Sequence, residues 1–210
     1  MKFRLTALAL VLLATACSRE GEIGKGGVYI TRSACPQVGI PAATGDITLF
    51  NPSNRTDAAA IDVSAAITNV RSTCDETGAN IVSTATFDVV ATRRDASQAR
   101  SVVLPYFTVA MQAGTQVVAK RVGQVGLEFA AGNYRAQTSG QATIQVSRSV
   151  ATLPEDVRRE LTRERKPGDA DAAIDPLSDP KIRDAVARAT FEHLIGFQLT
   201  PEQLRYNATR

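Results

Sequence analysis

Residues 84–92 read TATFDVVAT. The apolar or small side chains of Ala85, Phe87, Val89 and Ala91 alternate in this stretch with threonine and aspartate side chains. Because successive side chains of a strand point to opposite faces, this two-residue period predicts a β-strand with one face in a core and the other in solvent.

The same period extends over most of the chain. Residues 61–68 and 135–147 alternate in this way, and further candidate strands cover 28–31, 47–50, 102–111 and 116–129. Short turn-forming sequences separate these stretches. Seven strands linked by short turns predict a mainly β protein, with an immunoglobulin-like or fibronectin-like antiparallel β-sandwich over 28–150. A partly open barrel is the alternative.

Two strands carry residues that qualify this prediction. Pro105 lacks an N–H, so the strand 102–111 is expected at a sheet edge or with a bulge at Pro105. Gly123 or Gly126 is expected to interrupt the strand 116–129. Next to Pro105, Tyr106 and Phe107 point to opposite faces and cannot both lie in one core. Packing of Tyr106 against the C-terminal region is the favoured interpretation. Contact with a ligand or partner is the alternative, in which Tyr106 and Phe107 are the candidate binding residues.

The region 151–210 has a different pattern and is expected to be a C-terminal α-helical appendage. Thr152 and Glu155 are spaced as a capping box before a charged helix that reaches about residue 165. Asp179 and Pro180 open a second helix, expected to continue to about residue 195. Thr200 caps a short third helix.

Composition excludes two broad classes. The chain has 210 residues, of which 44% are hydrophobic, so it can bury a core and is not disordered over its length. Its formal net charge of +3 is too small to indicate a nucleic-acid-binding protein.

The first residues have the features of a secretory signal peptide. Lys2 and Arg4 precede an apolar run over residues 5–13, and the small residues Ala14 and Ala16 follow it. This run is too short to span a bilayer of roughly 30 Å as a helix, so residues 1–16 are expected to be removed on export.

Residues 13–17, which read LATAC, resemble the lipobox of bacterial lipoproteins. Leu13 stands one place earlier than the leucine that this motif favours. The resemblance implies that Cys17 becomes an acylated N-terminus, and two or three acyl chains are enough for stable membrane anchoring. It implies a lipid-anchored protein of the bacterial cell envelope, and Ser18 favours the outer membrane, facing the periplasm. Plain secretory cleavage that leaves Cys17 as a free thiol is the alternative.

If Cys17 is acylated, two of the three cysteines remain. In an oxidising envelope, Cys35 and Cys74 are expected to form a disulfide, although two separate buried thiols are the alternative. The Gly-rich residues 18–27 predict a flexible tether, so that residues 17–27 link the anchor to the domain.

The chain offers little catalytic chemistry. His193 is the only histidine, and the expected second helix places it on the apolar face beside Ile182 and Val186. A partly buried helix histidine is expected there, and a hydrolase that uses His193 is the remaining enzymatic hypothesis. With one histidine and no free cysteine pair, no metal site is predicted. The acidic loop 168–175 is read as a solvated linker, and no cofactor is expected.

These observations predict a non-enzymatic binding or scaffold module that interacts with another envelope component, with its oligomeric state left open. A carrier or sensor of a small apolar ligand such as a lipid is the alternative function.

Overall fold

A computed structural model describes the chain at residues 23–24, 27–28, 33–165, 168, 170–171 and 174–209. The predicted signal peptide 1–16 and the predicted acylation site Cys17 lie outside the described residues. Of the predicted tether and the strand expected at 28–31, only residues 23–24 and 27–28 are described. Those four residues form a minimal antiparallel pair, β1 (Ile23–Gly24) with β2 (Gly27–Val28).

Eight further strands carry the alternating pattern. They are β3 (Gln37–Gly39), β4 (Asp46–Phe50), β5 (Ile61–Asp75), β6 (Asn80–Arg93), β7 (Arg100–Gln112), β8 (Gln116–Phe129), β9 (Arg135–Ser147) and β10 (Phe191–Phe197). The helices are α1 (Arg148–Ala151), α2 (Glu155–Thr162), α3 (Pro180–Arg188) and α4 (Pro201–Thr209). Short 3-10 turns occupy Ala58–Ala60 and Pro176–Ser178.

The eight strands form two four-stranded sheets. Sheet I has the order β3-β10-β7-β8, and sheet II has the order β4-β5-β6-β9. Every neighbouring pair is antiparallel except β3 and β10, which are parallel. The prediction of a mainly β fold with antiparallel sheets and a few short helices is confirmed.

One cluster of buried side chains joins the two sheets. Sheet II contributes Val63, Phe87 and Val89, and sheet I contributes Leu127 and Phe197, all nearly inaccessible to solvent. The side chains that alternate inward along β6 are those predicted from residues 84–92. Burial of this apolar surface is the main stabilising term of the fold.

Strand β8 runs without interruption, so the predicted break at Gly123 or Gly126 is wrong. Its register with β7 continues through both glycines, and the only shift lies between Ala110 and Met111. Gly123 has a packing role instead, because a Cβ there would lie 2.6 Å from the Tyr106 ring. The glycine therefore makes room for an aromatic ring.

The prediction of an edge strand at Pro105 is also wrong, since β7 lies between β10 and β8. The carbonyl of Pro105 accepts a hydrogen bond from the N–H of Gln198, just past the end of β10. In an antiparallel sheet, the N–H and C=O of one residue point to the same neighbouring strand. The N–H that Pro105 lacks would therefore point toward the end of β10, and the hydrogen bonds between β7 and β8 are unaffected.

The second predicted helix ends earlier than expected. Helix α3 begins with Asp179 as its N-cap, as predicted, but ends at Arg188. Residues Phe191–Phe197 form β10, which pairs with both β3 and β7. The placement of His193 on a helix is therefore wrong, and the region 151–210 is more than a helical appendage because it contributes an interior strand to sheet I. The strand takes its stability from pairing on both sides, which local helix signals do not report.

The other helices follow the predictions in part. Thr200 and Gln203 exchange the two hydrogen bonds of a capping box at α4, which confirms that cap. The capping box expected at Thr152 is wrong, because its hydroxyl donates to the carbonyl of Arg148 instead. Helices α2 and α3 bury Val157 against Ile182.

The predicted disulfide between Cys35 and Cys74 is present. It connects the chain just before β3 of sheet I to the end of β5 in sheet II. The bond therefore links the segment that leads into sheet I to a strand of sheet II.

Candidate functional site

The outer face of sheet II is polar. Threonine, serine, glutamine and charged side chains occupy most outward positions of β5, β6 and β9. At its centre, the Asp88 carboxylate accepts hydrogen bonds from Asn69 and Ser139, each at 2.8 Å. These two donors hold the pKa of Asp88 below its ordinary value. This face has the polar character expected of a solvated sheet surface.

The outer face of sheet I is largely apolar. Its apolar outward side chains are called here the apolar face: Val103, Pro105, Phe107, Val109 and Met111 of β7, Val117 and Val122 of β8, and Leu194 of β10. Val109 is buried, and Pro105, Phe107, Met111 and Leu194 are half-buried. The polar residues Lys120, Gln124 and Glu192 lie on the same side of the sheet. The strand register places Phe107 beside Val122, Val109 beside Leu194, and Met111 beside Val117. Contiguous apolar surface of this kind is typical of a site that contacts a partner or a membrane.

Three valines of the apolar face are largely open to solvent. Val103 is 56% exposed, Val117 is 53% exposed and Val122 is 58% exposed. In β8 the neighbouring residues are also exposed, so the part of this strand from Gln116 to Val122 is uncovered on both faces. Strand β8 is an edge strand of sheet I, and its outer side is not hydrogen-bonded to another described strand.

Phe107 is the aromatic centre of the apolar face. It is half-buried, and the ammonium of Lys120 lies 5.3 Å from its ring centroid. The ring lies over Gly196, where a Cβ would come within 2.8 Å of it. A Cβ there would also collide with the Thr44 side chain, so Gly196 makes room for the Phe107 ring and for Thr44 together.

Tyr106 lies on the opposite face of the same strand. Its ring packs edge-on against Phe87 of sheet II at 5.2 Å between centroids, and its hydroxyl donates to the carbonyl of Gln141 at 2.9 Å. The expectation that Tyr106 packs under the C-terminal helices is therefore wrong. The structure does not bring the two candidate binding residues together, because Tyr106 packs against the opposite sheet while Phe107 belongs to the apolar face.

His193 lies fully buried between the two sheets, with a relative exposure of 0%. Its Nδ1 is 3.0 Å from the hydroxyl oxygen of Ser83 in β6, and its Nε2 is 2.8 Å from that of Thr108 in β7. The expected partly buried helix histidine is thus a fully buried strand histidine with two partners. The three side chains form a polar bridge across the core.

Burial lowers the pKa of His193 to about 4. The imidazole is therefore neutral at pH 7, with one nitrogen donating and the other accepting. A serine–histidine contact is the start of a nucleophilic arrangement, but here the second ring nitrogen meets a threonine hydroxyl and no carboxylate. Both hydroxyls are also buried, so the geometry is that of a satisfied polar link in a core.

The signal for the apolar face was present in the sequence. Residues 102–111 read VVLPYFTVAM, an almost continuous apolar run with no polar alternation. Such a run is typical of a strand covered on both faces. In the structure its inward residues enter the core, and its outward residues form the apolar face.

A groove of about 710 Å³ crosses the outer face of sheet II at one end. Its floor is the backbone row of Ile47, Ala65, Ala91 and Ala136, one residue from each strand. Side chains of the two adjacent rows form its walls, including Arg135. The small residues of this row and its neighbours keep the groove open.

Neither a metal cluster nor a membrane-spanning helix occurs in the part of the chain that the structure describes. No three His, Cys, Asp or Glu side chains gather there to hold a metal ion. No helix among those residues is long and apolar enough to cross a bilayer.

In the acidic loop, Asp171 pairs with Arg163, which also pairs with Glu160 on α2.

The comparisons with known proteins found no similar family model, curated protein or solved structure.

Proposed function

We propose that the protein is an acyl-anchored lipoprotein of the bacterial cell envelope whose two-sheet domain is a non-enzymatic binding module. Cys17 carries the acyl chains, and the protein resides at the outer membrane, facing the periplasm. The finer fold that we propose is an immunoglobulin-like or fibronectin-like sandwich. Its support is the two antiparallel-rich sheets around one shared core.

The observation that carries the binding role is the apolar face. Val103, Val117 and Val122 expose more than half of their surface, although the other face of their strands contributes to the core. Leaving such surface in water costs free energy that contact with a partner recovers. The contact surface of the module is therefore the outer face of sheet I.

The anchoring role rests on the leader sequence and on the disulfide. The disulfide between Cys35 and Cys74 fits an oxidising compartment and leaves Cys17 as the one cysteine outside that pair. A cysteine directly after a lipobox-like sequence is the position that acylation requires.

The test of anchoring is membrane fractionation of a Cys17→Ser variant in the native host, combined with labelling by an alkyne fatty acid. We expect the unaltered protein to label and to sediment with membranes, and the variant to lose both properties. Ser18→Ala is the matched control, because it alters the adjacent residue and keeps the thiol. A Cys17→Ser protein that stays fully membrane-bound would disprove anchoring through Cys17.

A carrier of a small apolar ligand is the second candidate function, and the groove on sheet II is the observation that favours it. Ala66 lies in the groove wall and a larger side chain there would reduce its volume. We expect the Cys17→Ser protein to co-purify with extractable lipid and Ala66→Leu to lose it, as measured by mass spectrometry of the extract. The absence of bound lipid from both proteins would exclude this function.

A further inference from the structure

We propose that the apolar face of sheet I lies against the lipid surface of the membrane that anchors the protein. This inference rests on the proposed anchoring through Cys17 and names the envelope component that the module contacts. The lipid surface is the occupant, with valine and phenylalanine side chains at the acyl boundary and the ammonium of Lys120 at the headgroups.

The place where the chain enters the domain supports this orientation. The strand register places one residue from each strand side by side across sheet I. These are Gln37 of β3, Glu192 of β10, Met111 of β7 and Val117 of β8. Strand β3 and strand β8 are the two edges of the same sheet, so three spacings of about 4.8 Å separate them, about 14 Å in total. The anchored segment therefore joins sheet I at the end where the exposed part of β8 lies.

The length of the preceding chain keeps the domain near the bilayer. Residues 18–32 separate Cys17 from residue 33, where the continuous described part of the domain begins. Even fully extended at 3.3–3.6 Å per residue, this segment spans roughly 50 Å. A domain held this close meets the membrane surface at a high effective concentration, so a weak contact suffices.

Lys120 is the cation of the apolar face, where it is level with Val109. Arg121 is level with the inward-facing Thr108, so it points to the opposite side of β8. The acidic residues of the outward side, Glu128 and Glu192, lie at its two ends. Lysine and arginine stems pack along apolar surface while their charged ends reach headgroups, and Lys120 already lies beside the Phe107 ring.

The absence of tryptophan from the chain allows a direct test. A single reporter is introduced on the apolar face by Val122→Trp and, as a matched control, on the outer face of sheet II outside the groove by Gln145→Trp. Both positions are exposed. The acylated full-length mature proteins are reconstituted into vesicles of phosphatidylethanolamine and phosphatidylglycerol that contain brominated lipid.

We expect brominated lipid to quench the fluorescence of the Val122→Trp protein and to leave that of the Gln145→Trp protein unchanged. In the first protein, Lys120→Gln should reduce both the quenching and its dependence on phosphatidylglycerol. Equal quenching in both reporters, or none in either, overturns the proposal.

Two further readouts separate the causes of failure. Vesicle flotation reports anchoring independently, so a protein that does not float contradicts the proposed function itself. A floating Val122→Trp protein that is shielded from iodide but not quenched by brominated lipid also overturns the inference, because a second copy or another protein would then cover the face.

Discussion

The outer faces of the two sheets are built from different side chains, although the inner faces are alike. Sheet II follows the simple alternation, with apolar residues inward and threonine, serine and glutamine outward. Sheet I is apolar on both sides along β7, so that Leu104 enters the core while Val103 and Phe107 face outward. The shared core takes one face of each sheet, so the exposed valines on the outer face of sheet I, Val103, Val117 and Val122, lie outside it. The comparison distinguishes the inward side chains, which stabilise the domain, from the exposed outward valines of sheet I, which are available for contact.

The largest effect that we expect concerns the covalent link between the two sheets. Cys35 and Cys74 are 39 positions apart, and closing a loop of this length stabilises the folded state by about 4 kcal/mol in the chain-entropy treatment. A Cys35→Ser/Cys74→Ser variant should lose free energy of unfolding of this order in equilibrium denaturation. The outer faces of both sheets should be unaffected. A variant that unfolds at the same denaturant concentration as the oxidised protein would show that the disulfide does not stabilise the fold.

The next effect compares the inside of β8 with its outside. Leu127 is 0% exposed and belongs to the shared core. Leu127→Ala should lower the free energy of unfolding by about 3 kcal/mol, through lost burial and the cavity that remains. Thermal or denaturant unfolding measures this loss. A loss of unfolding free energy as small as that of a substitution at an exposed position would show that Leu127 does not belong to the core.

A third effect is a pH dependence that arises where the two inner faces meet. His193 has a pKa of about 4 in the folded protein and an ordinary value of 6.5 in the unfolded chain. Between these values the unfolded chain binds more protons, so stability is complete above pH 6.5 and falls as the pH drops toward 4. We expect a loss of about 2 kcal/mol between pH 7 and pH 5.

Because the chain contains no other histidine, the slope in this window can be assigned to one residue. A His193→Gln variant does not titrate there, and its stability should be nearly flat from pH 5 to pH 7. An unchanged slope in that variant would show that another group is responsible.

The smallest effect is expected on the apolar face. Val122→Thr exchanges one methyl group for a hydroxyl at a position that is 58% exposed. The free energy of unfolding should change by less than about 0.5 kcal/mol, because surface substitutions of this kind rarely cost more. A loss comparable to that of Leu127→Ala would mean that the outer face of sheet I contributes to folding, and the contrast between the two faces would fail.

The strands were predictable where a local pattern reports them. Residues 61–68, 84–92 and 135–147 alternate with the two-residue period, and each forms part of a strand in the structure. The cap of α4 was equally local, since Thr200 and Gln203 lie within one turn. These features depend on neighbours that are near in sequence.

The candidate site was predictable only in part. Phe107 was singled out as an unusual aromatic residue, and it is the centre of the apolar face. Tyr106 was chosen with it, yet its ring lies against Phe87. The valines of β8 were not selected, because single exposed valines carry no signal until the register places them beside Phe107 and Met111.

Sequence alone was sufficient for the mainly β class and for the pairing of Cys35 with Cys74, and it predicts an anchored envelope protein. Tertiary structure alone decided that Phe191–Phe197 is an interior strand, that His193 bridges Ser83 and Thr108, and that valines of β7 and β8 are exposed on the outer face of sheet I. The physical reason is that hydrophobic periodicity indicates which side chains of an element are buried, but not which other element packs against them. Strand pairing between distant segments settles that question, and it depends on residues more than 80 positions apart, as in the contact between Thr108 and His193.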